Sequence, residues 1–115
     1  MFVLEMLSAY DQQEIKCGEL LETAIELAQY IYDYSPNYIF LLNYMQAVKR
    51  KRALTSQEKN KILSIINIET NHLQEKIGAT ILLEDFKQTK ILYKKLSRKE
   101  QKEFDSFPIV NLWKR

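Results

Sequence analysis

Residues 55–96 constrain the fold most, because these 42 residues contain no proline and one glycine, Gly78. Thr55 and Glu58 have the spacing of a capping box, which satisfies free N–H groups at a helix start. Apolar residues then recur at spacings of four and seven, the period of one helical face. They are Ile62, Ile66, Leu73, Ile77 and Ile81.

One unbroken helix over residues 55–96 would be about 60 Å long at 1.5 Å per residue. A compact chain of this length has a radius of gyration of only about 13 Å. We therefore expect a helix from residue 56 to about residue 77 that then bends or restarts toward Leu96, or else protrudes to a partner. The weak helix formers are the asparagines in residues 67–71 and Gly78.

The other segments also predict helices. Residues 11–34 carry apolar side chains at alternating spacings of four and three, and a helix can start at Asp11. Ser35 and Pro36 suit the start of a helix that reaches Arg52 and is apolar on nearly all sides. Ser97 and Glu100 repeat the capping pattern, so a short helix should end near Phe107, before Pro108.

These patterns predict an all-α fold, a single domain over residues 1–115 built as a small antiparallel bundle of four to five helices. Two glycines and two prolines are too few for the tight turns of an all-β fold. A homodimer is expected, because so small a chain leaves much apolar surface exposed. The predicted core contains Leu27, Ile31, Leu41, Leu42, Ile66, Leu73, Ile77 and Leu82.

Charge is divided unevenly along the chain. Residues 1–48 carry seven acids and one base, a net charge of −6, and residues 49–115 carry sixteen bases and eight acids, a net charge of +8. Such a division indicates either two faces that attract each other or a basic patch for an acidic partner.

Several classes of protein are disfavoured by the sequence. Cys17 is the one cysteine, so no internal disulfide can form, and we expect a buried thiol in a reducing, cytoplasmic setting. The first residues make a poor signal peptide, and no apolar run reaches the length of a membrane helix. Glycine-rich phosphate loops are missing. We therefore predict no catalytic residues, no cofactor and no membrane contact.

One spacing suggests a metal site. Glu69 and His72 stand three residues apart, and di-iron and di-manganese helical bundles use two such Glu-x-x-His pairs with two further glutamates. One chain supplies one pair, so a homodimer would be needed. Because this spacing is common by chance, a structural or solvated histidine is the favoured interpretation.

Tyrosines crowd the junction between the first two predicted helices. Tyr30, Tyr32, Tyr34, Tyr38 and Tyr44 cannot all face one core, because successive helical positions point about 100° apart. Either their rings cover the edge of the core, or some of them bind a partner, as tyrosines do at interface hot spots. We predict a partner-binding site with a basic rim, made of Tyr30, Tyr34, Tyr38, Tyr44, Lys49, Arg50, Lys51 and Arg52.

The leading functional prediction is a non-enzymatic protein-binding regulator, similar in size and class to small bacterial inhibitors, immunity proteins and chaperones. The alternative is a nucleic-acid-binding regulator that uses the basic second half, and the third is a dimeric metal-binding bundle. A solvated face is the competing explanation for the second half's bases, which include Lys87, Lys90, Lys94, Lys95, Arg98, Lys99 and Lys102.

Overall fold

A computed structural model describes residues 3–67 and 72–115, and throughout these ranges the regular structure is helical. The all-α prediction is confirmed, but the described residues contain seven α-helices rather than four to five. They are α1 (Val3–Gln12), α2 (Gly18–Tyr34), α3 (Tyr38–Lys49), α4 (Ser56–Ile66), α5 (Leu73–Leu82), α6 (Phe86–Tyr93) and α7 (Arg98–Asp105), followed by a 3₁₀ helix (Pro108–Leu112).

The chain divides into two compact units, Met1–Leu54 and Thr55–Arg115, called unit 1 and unit 2 below. Each has its own packed helices and its own buried side chains. The expectations of a single domain and of a homodimer stay predictions.

The first helix of unit 1 was not anticipated. The sequence predicted a helix starting at Asp11, but α1 ends at Gln12 and α2 begins at Gly18. The Lys16 ammonium donates to the carbonyls of Tyr10 at 3.1 Å and Asp11 at 2.7 Å. A cation on the last carbonyls of a helix stabilises its end. α1 therefore ends here, and a new helix, α2, begins after a short loop.

The start of α3 also differs from the prediction. Ser35 and Pro36 were expected to open this helix, but it begins at Tyr38. Asn37 is in an extended conformation and its side chain accepts a hydrogen bond from the Phe40 amide at 2.9 Å. Asparagine is among the best residues at this position, which explains the later start.

The three helices of unit 1 alternate in direction. Near the α2–α3 junction the ring of Tyr32 lies 6.2 Å from that of Tyr44, and at the other end Glu22 pairs with Lys51. α2 and α3 are therefore antiparallel. Small residues let α1 and α2 approach closely in a core made of Val3, Leu7, Leu21, Ala24, Ala28 and Ala47.

The described part of residues 55–96, the stretch that constrains the fold most, forms three helices. The predicted capping box is confirmed: the Thr55 hydroxyl accepts from the Glu58 amide, and the Glu58 carboxylate accepts from the Thr55 amide. α4 ends at Ile66 and α5 begins at Leu73, so the expectation of one helix from residue 56 to about residue 77 is wrong, although α4 ends next to the predicted weak point. Gly78 is buried inside α5, so the second break lies elsewhere, at residues 83–85.

That second break is a Schellman motif. The Asp85 amide donates to the Thr80 carbonyl and the Glu84 amide to the Ile81 carbonyl, both at 3.0 Å. Glu84 has a φ of 59°, the left-handed conformation that glycine normally supplies at this position. Because glutamate is an unusual residue there, the pattern of the sequence did not mark the break.

Replacing Glu84 by glycine should stabilise unit 2 by about 0.5–1 kcal/mol, because glycine has no Cβ that disfavours this conformation. Chemical unfolding followed by circular dichroism measures the gain. Glu84→Ala is the matched control and should give no gain, because alanine keeps the Cβ. Equal effects of the two substitutions would contradict the role assigned to backbone conformation.

Helix α5 is the centre of unit 2, with every residue from Ile77 to Leu82 buried. Two buried hydroxyls join it to α6, since Thr80 Oγ1 lies 2.8 Å from Thr89 Oγ1. Each hydroxyl also lies within hydrogen-bond distance of a backbone carbonyl, Thr80 of Ile77 at 2.7 Å and Thr89 of Asp85 at 3.0 Å. Because each hydroxyl has one proton, one of them donates to its carbonyl and the other donates to the neighbouring hydroxyl. Buried polar groups need such partners, so these contacts hold the α5–α6 hairpin together.

The last α-helix begins as predicted. Ser97 and Glu100 form a capping box, and the hydrogen bond from the Ser97 backbone amide holds the pKa of the Glu100 carboxyl below its usual value. Along α7 Phe104 alone is buried. Its ring packs edge-on against those of Tyr93 and Phe107, at centroid distances of 6.3 and 6.0 Å.

The predicted core is confirmed in part. Leu41, Leu42, Ile77 and Leu82 are buried. Four other predicted core residues are only partly buried, because the faces that pack inward are narrower than the apolar stripes. α2 buries Leu21, Ala24 and Ala28, and α4 buries Ile62 and Ile65. The partly buried residues are Leu27, Ile31, Ile66 and Leu73.

Candidate functional site

Exposed apolar side chains gather at one end of unit 1, where α2 meets α3. Tyr30 is 70% exposed and Tyr34 84%, and just beyond the junction Tyr38 is 42% and Ile39 53% exposed. Four large apolar side chains within ten residues of chain therefore face solvent. We call these four residues the tyrosine surface.

Helix geometry explains why the two tyrosines of α2 point outward together. Tyr30 and Tyr34 are four residues apart, so they stand on one face, one turn from each other. The helix buries a different face, which carries Leu21, Ala24 and Ala28. Both rings are thus presented to solvent by a helix that is anchored on its opposite side.

An apolar groove of about 400 Å³ opens at the same end of unit 1, between α1, α2 and α3. Ile31, on its wall, lies one helical turn before Tyr34 and is therefore the neighbour of that ring. The groove and the tyrosine surface together offer an apolar concavity beside projecting rings. The described residues that line the groove are Val3, Leu4, Glu5, Ala28, Ile31, Phe40 and Asn43.

Tyr44 lies apart from the other predicted site tyrosines. Its ring is half-buried, packs against the core of unit 1 and contacts Tyr32 at 6.2 Å. Of the two interpretations of the tyrosine cluster, coverage of the core edge describes Tyr44. Tyr30, Tyr34 and Tyr38 are exposed to solvent, as the partner-binding interpretation requires.

The Arg50 side chain is buried, so it does not belong to the predicted basic rim of the tyrosine site. It is 3% exposed, and its guanidinium donates to Asp11 through Nε at 2.8 Å and through Nη2 at 2.7 Å. A third bond runs from Nη1 to the Gln46 carbonyl at 2.8 Å. This bidentate ion pair joins the end of α1 to the end of α3.

The other predicted bases lie far from the tyrosines. Lys51 pairs with Glu22 on α2, and Arg52 donates to the Ala53 carbonyl at 3.0 Å. Lys49 ends α3, whereas Tyr38 begins it, which separates them by about 16 Å along the axis at 1.5 Å per residue. The structure therefore does not bring the four bases to the edge of the tyrosine surface.

Acidic side chains occupy that edge instead. Glu5 lines the groove and is exposed, and Asp33, the neighbour of Tyr34 in the chain, is exposed as well. The charge near the tyrosine surface is negative, the opposite of the predicted rim. The sequence contained this signal in the seven acids of residues 1–48, but only the packing of α1 placed Glu5 beside the groove.

Of the two residues in the metal hypothesis, Glu69 lies outside the described residues. His72 precedes α5, with Nδ1 3.9 Å from the Glu75 carboxylate. Across residues 3–67 and 72–115 no three His, Cys, Asp or Glu side chains form a group that could hold a metal ion.

The thiol of Cys17 is exposed, so the expectation of a buried thiol is wrong. It precedes α2, before the helix starts to bury its inner face.

Within the described ranges, no helix has the length and apolar character needed to cross a membrane.

Comparison with known proteins adds no identification. Neither a protein-family model, nor a curated protein sequence, nor a solved structure matches this chain.

Proposed function

We propose that this protein is a non-enzymatic protein-binding regulator that acts by covering a surface of its partner, in the manner of a small inhibitor, immunity protein or chaperone. The tyrosine surface carries the proposal. Exposed Tyr30, Tyr34 and Tyr38 with Ile39 form an apolar set on a small unit whose core is made of other residues. Contiguous exposed apolar patches on small proteins mark interaction sites.

The chemistry of the surface indicates how a partner would bind. Tyrosine rings add large apolar area at a low cost in side-chain entropy, and their hydroxyls donate and accept hydrogen bonds at the boundary with water. The groove beside Ile31 can receive an apolar side chain of the partner. We therefore propose a partner with an apolar anchor for the groove.

The acidic edge adds a second requirement. Charges at the rim of an interface mainly set association rate and specificity. Because Glu5 and Asp33 lie at this edge, the partner should carry basic side chains around its apolar anchor. Lys51 and Arg52, at the other end of α3, should matter little for association.

Replacing Tyr30 or Tyr34 by alanine should weaken partner binding by about 1–4 kcal/mol, the range of interface hot spots. Because both rings are exposed, the melting temperature should hardly change. Affinity capture with mass spectrometry first identifies the proteins retained by the wild type, and calorimetry then measures the affinity of each variant. Ile15→Ala, at an 89% exposed apolar residue outside the surface, is the matched control.

Two results would overturn this proposal. The first is a partner that binds the tyrosine variants as tightly as it binds the Ile15→Ala control. The second is a surface occupied by another copy of the chain: light scattering would give twice 13.7 kDa for the wild type and 13.7 kDa for the tyrosine variants. That second result would confirm the expected homodimer and assign the rings to it.

A further inference from the structure

A second groove, in unit 2, combines aromatic rings with cations. It has a volume of about 350 Å³ and lies between α6, α7 and the last residues of the chain. Three of its side chains are aromatic and four are Lys or Arg, so an apolar floor is framed by positive charge. The lining residues are Phe86, Lys90, Tyr93, Lys94, Gln101, Trp113, Lys114 and Arg115.

The aromatic floor is held in place by a chain of contacts. The Trp113 ring lies 5.1 Å from that of Tyr93, and the Arg115 guanidinium lies 4.2 Å from the Trp113 centroid. Asp105 binds both partners, accepting from the Tyr93 hydroxyl at 2.9 Å and from Arg115 at 3.0 Å. Burial, together with Asp105, raises the pKa of Tyr93, which favours the protonated hydroxyl that donates to Asp105.

The charge around the groove is strongly positive. Residues 86–99 contain six Lys or Arg side chains and no Asp or Glu, and all six are exposed. Three exposed lysines line the groove and form no ion pair with any described residue: Lys90, Lys94 and Lys114. Asp105, which binds Tyr93, is balanced by Arg115. The groove therefore suits a polyanion with flat apolar parts.

We propose that this groove binds single-stranded nucleic acid, with a base against the Trp113–Tyr93 floor and phosphates on Lys90, Lys94 and Lys114. Aromatic platforms beside tracks of cations are how proteins hold single strands without reading their sequence. A duplex hides the faces of its bases, so the floor would have no role there. An acidic peptide needs the cations but has no flat bases to place on the rings.

The inference goes beyond the proposed protein-binding function, because it concerns another surface on the other unit. The two can therefore fail separately. Substitutions at Tyr30 and Tyr34 leave the groove intact, and substitutions at Lys90 and Lys94 leave the tyrosine surface intact.

The experiment uses the full chain and a fluorescein-labelled single strand of about twelve mixed nucleotides, as DNA and as RNA, with anisotropy as the readout. Three cations on phosphates give a log–log salt slope near −2, so affinity should fall about 20-fold between roughly 50 and 200 mM salt. Lys90→Gln/Lys94→Gln should weaken binding by about tenfold or more and reduce the salt slope to about a third. Lys59→Gln/Lys61→Gln on α4 removes the same charge outside the groove and should change affinity less than threefold.

The sole tryptophan of the chain supplies a second readout. A base placed against Trp113 should quench its emission, and the Lys59→Gln/Lys61→Gln variant should show the same quenching. Three results would overturn the proposal: equal losses of affinity in the two double variants, binding without quenching, or tighter binding of a duplex of the same length. A polyglutamate peptide that binds as tightly as the oligonucleotide would also overturn it and assign the groove to acidic proteins.

Discussion

Replacing Asp11 by alanine should lower the free energy of unfolding of unit 1 by about 3–5 kcal/mol. The Arg50 side chain is 3% exposed and that of Asp11 15%, so the substitution leaves a guanidinium in the interior without its carboxylate. Removing one partner of a buried ion pair is costly because the remaining charge has lost both water and its counter-ion. Chemical unfolding followed by circular dichroism measures the loss.

The matched control replaces both members of the pair. Asp11→Leu/Arg50→Met puts apolar side chains of similar size at the two positions, and such replacements are often neutral or stabilising. The double variant should therefore recover most of the stability lost in Asp11→Ala. If the single variant lost less than about 1 kcal/mol of stability, the ion pair would not be buried, and Arg50 would have to be interpreted as a surface residue.

Replacing Ile77 by alanine should cost about 2–5 kcal/mol. Ile77 is completely buried in α5, the central helix of unit 2, so truncation removes apolar contacts and leaves a cavity. Emission of Trp113 follows the unfolding of this unit, because the chain has no other tryptophan.

Ile91→Ala makes the same chemical change in the same unit at a residue that is 45% exposed. It should cost less than half as much as the substitution at residue 77, because nearly half of the Ile91 side chain is in water already. Similar losses at residues 77 and 91 would show that the burial pattern assigned to α5 and α6 is wrong.

The helical class and two of the predicted helix starts are confirmed, because their causes are local. The capping boxes at Thr55 and Ser97 each need only residues three positions apart, and both are present. The break after α5 could not be predicted in this way. Gly78 was the expected weak point, but it lies buried within a helix, and Glu84 takes the left-handed conformation instead.

The sequence also predicted part of the candidate site. The excess of tyrosines near the α2–α3 junction indicated that some rings must leave the core, and three of the four predicted tyrosines are exposed. The sequence did not distinguish Tyr44, which packs inward, because α3 is apolar on nearly every side and its pattern marks no outer face. Ile39, at 53% exposure, was missed for the same reason.

The sequence by itself determined that the chain is helical and that Thr55 and Ser97 start helices, because propensity and capping act over a few residues. Only the tertiary structure decided which charged side chains face solvent. Arg50 looks like one member of a basic surface cluster, yet it is buried because Asp11, 39 residues away, supplies its counter-ion. Burial depends on partners distant in the chain, which the pattern of neighbouring residues does not contain.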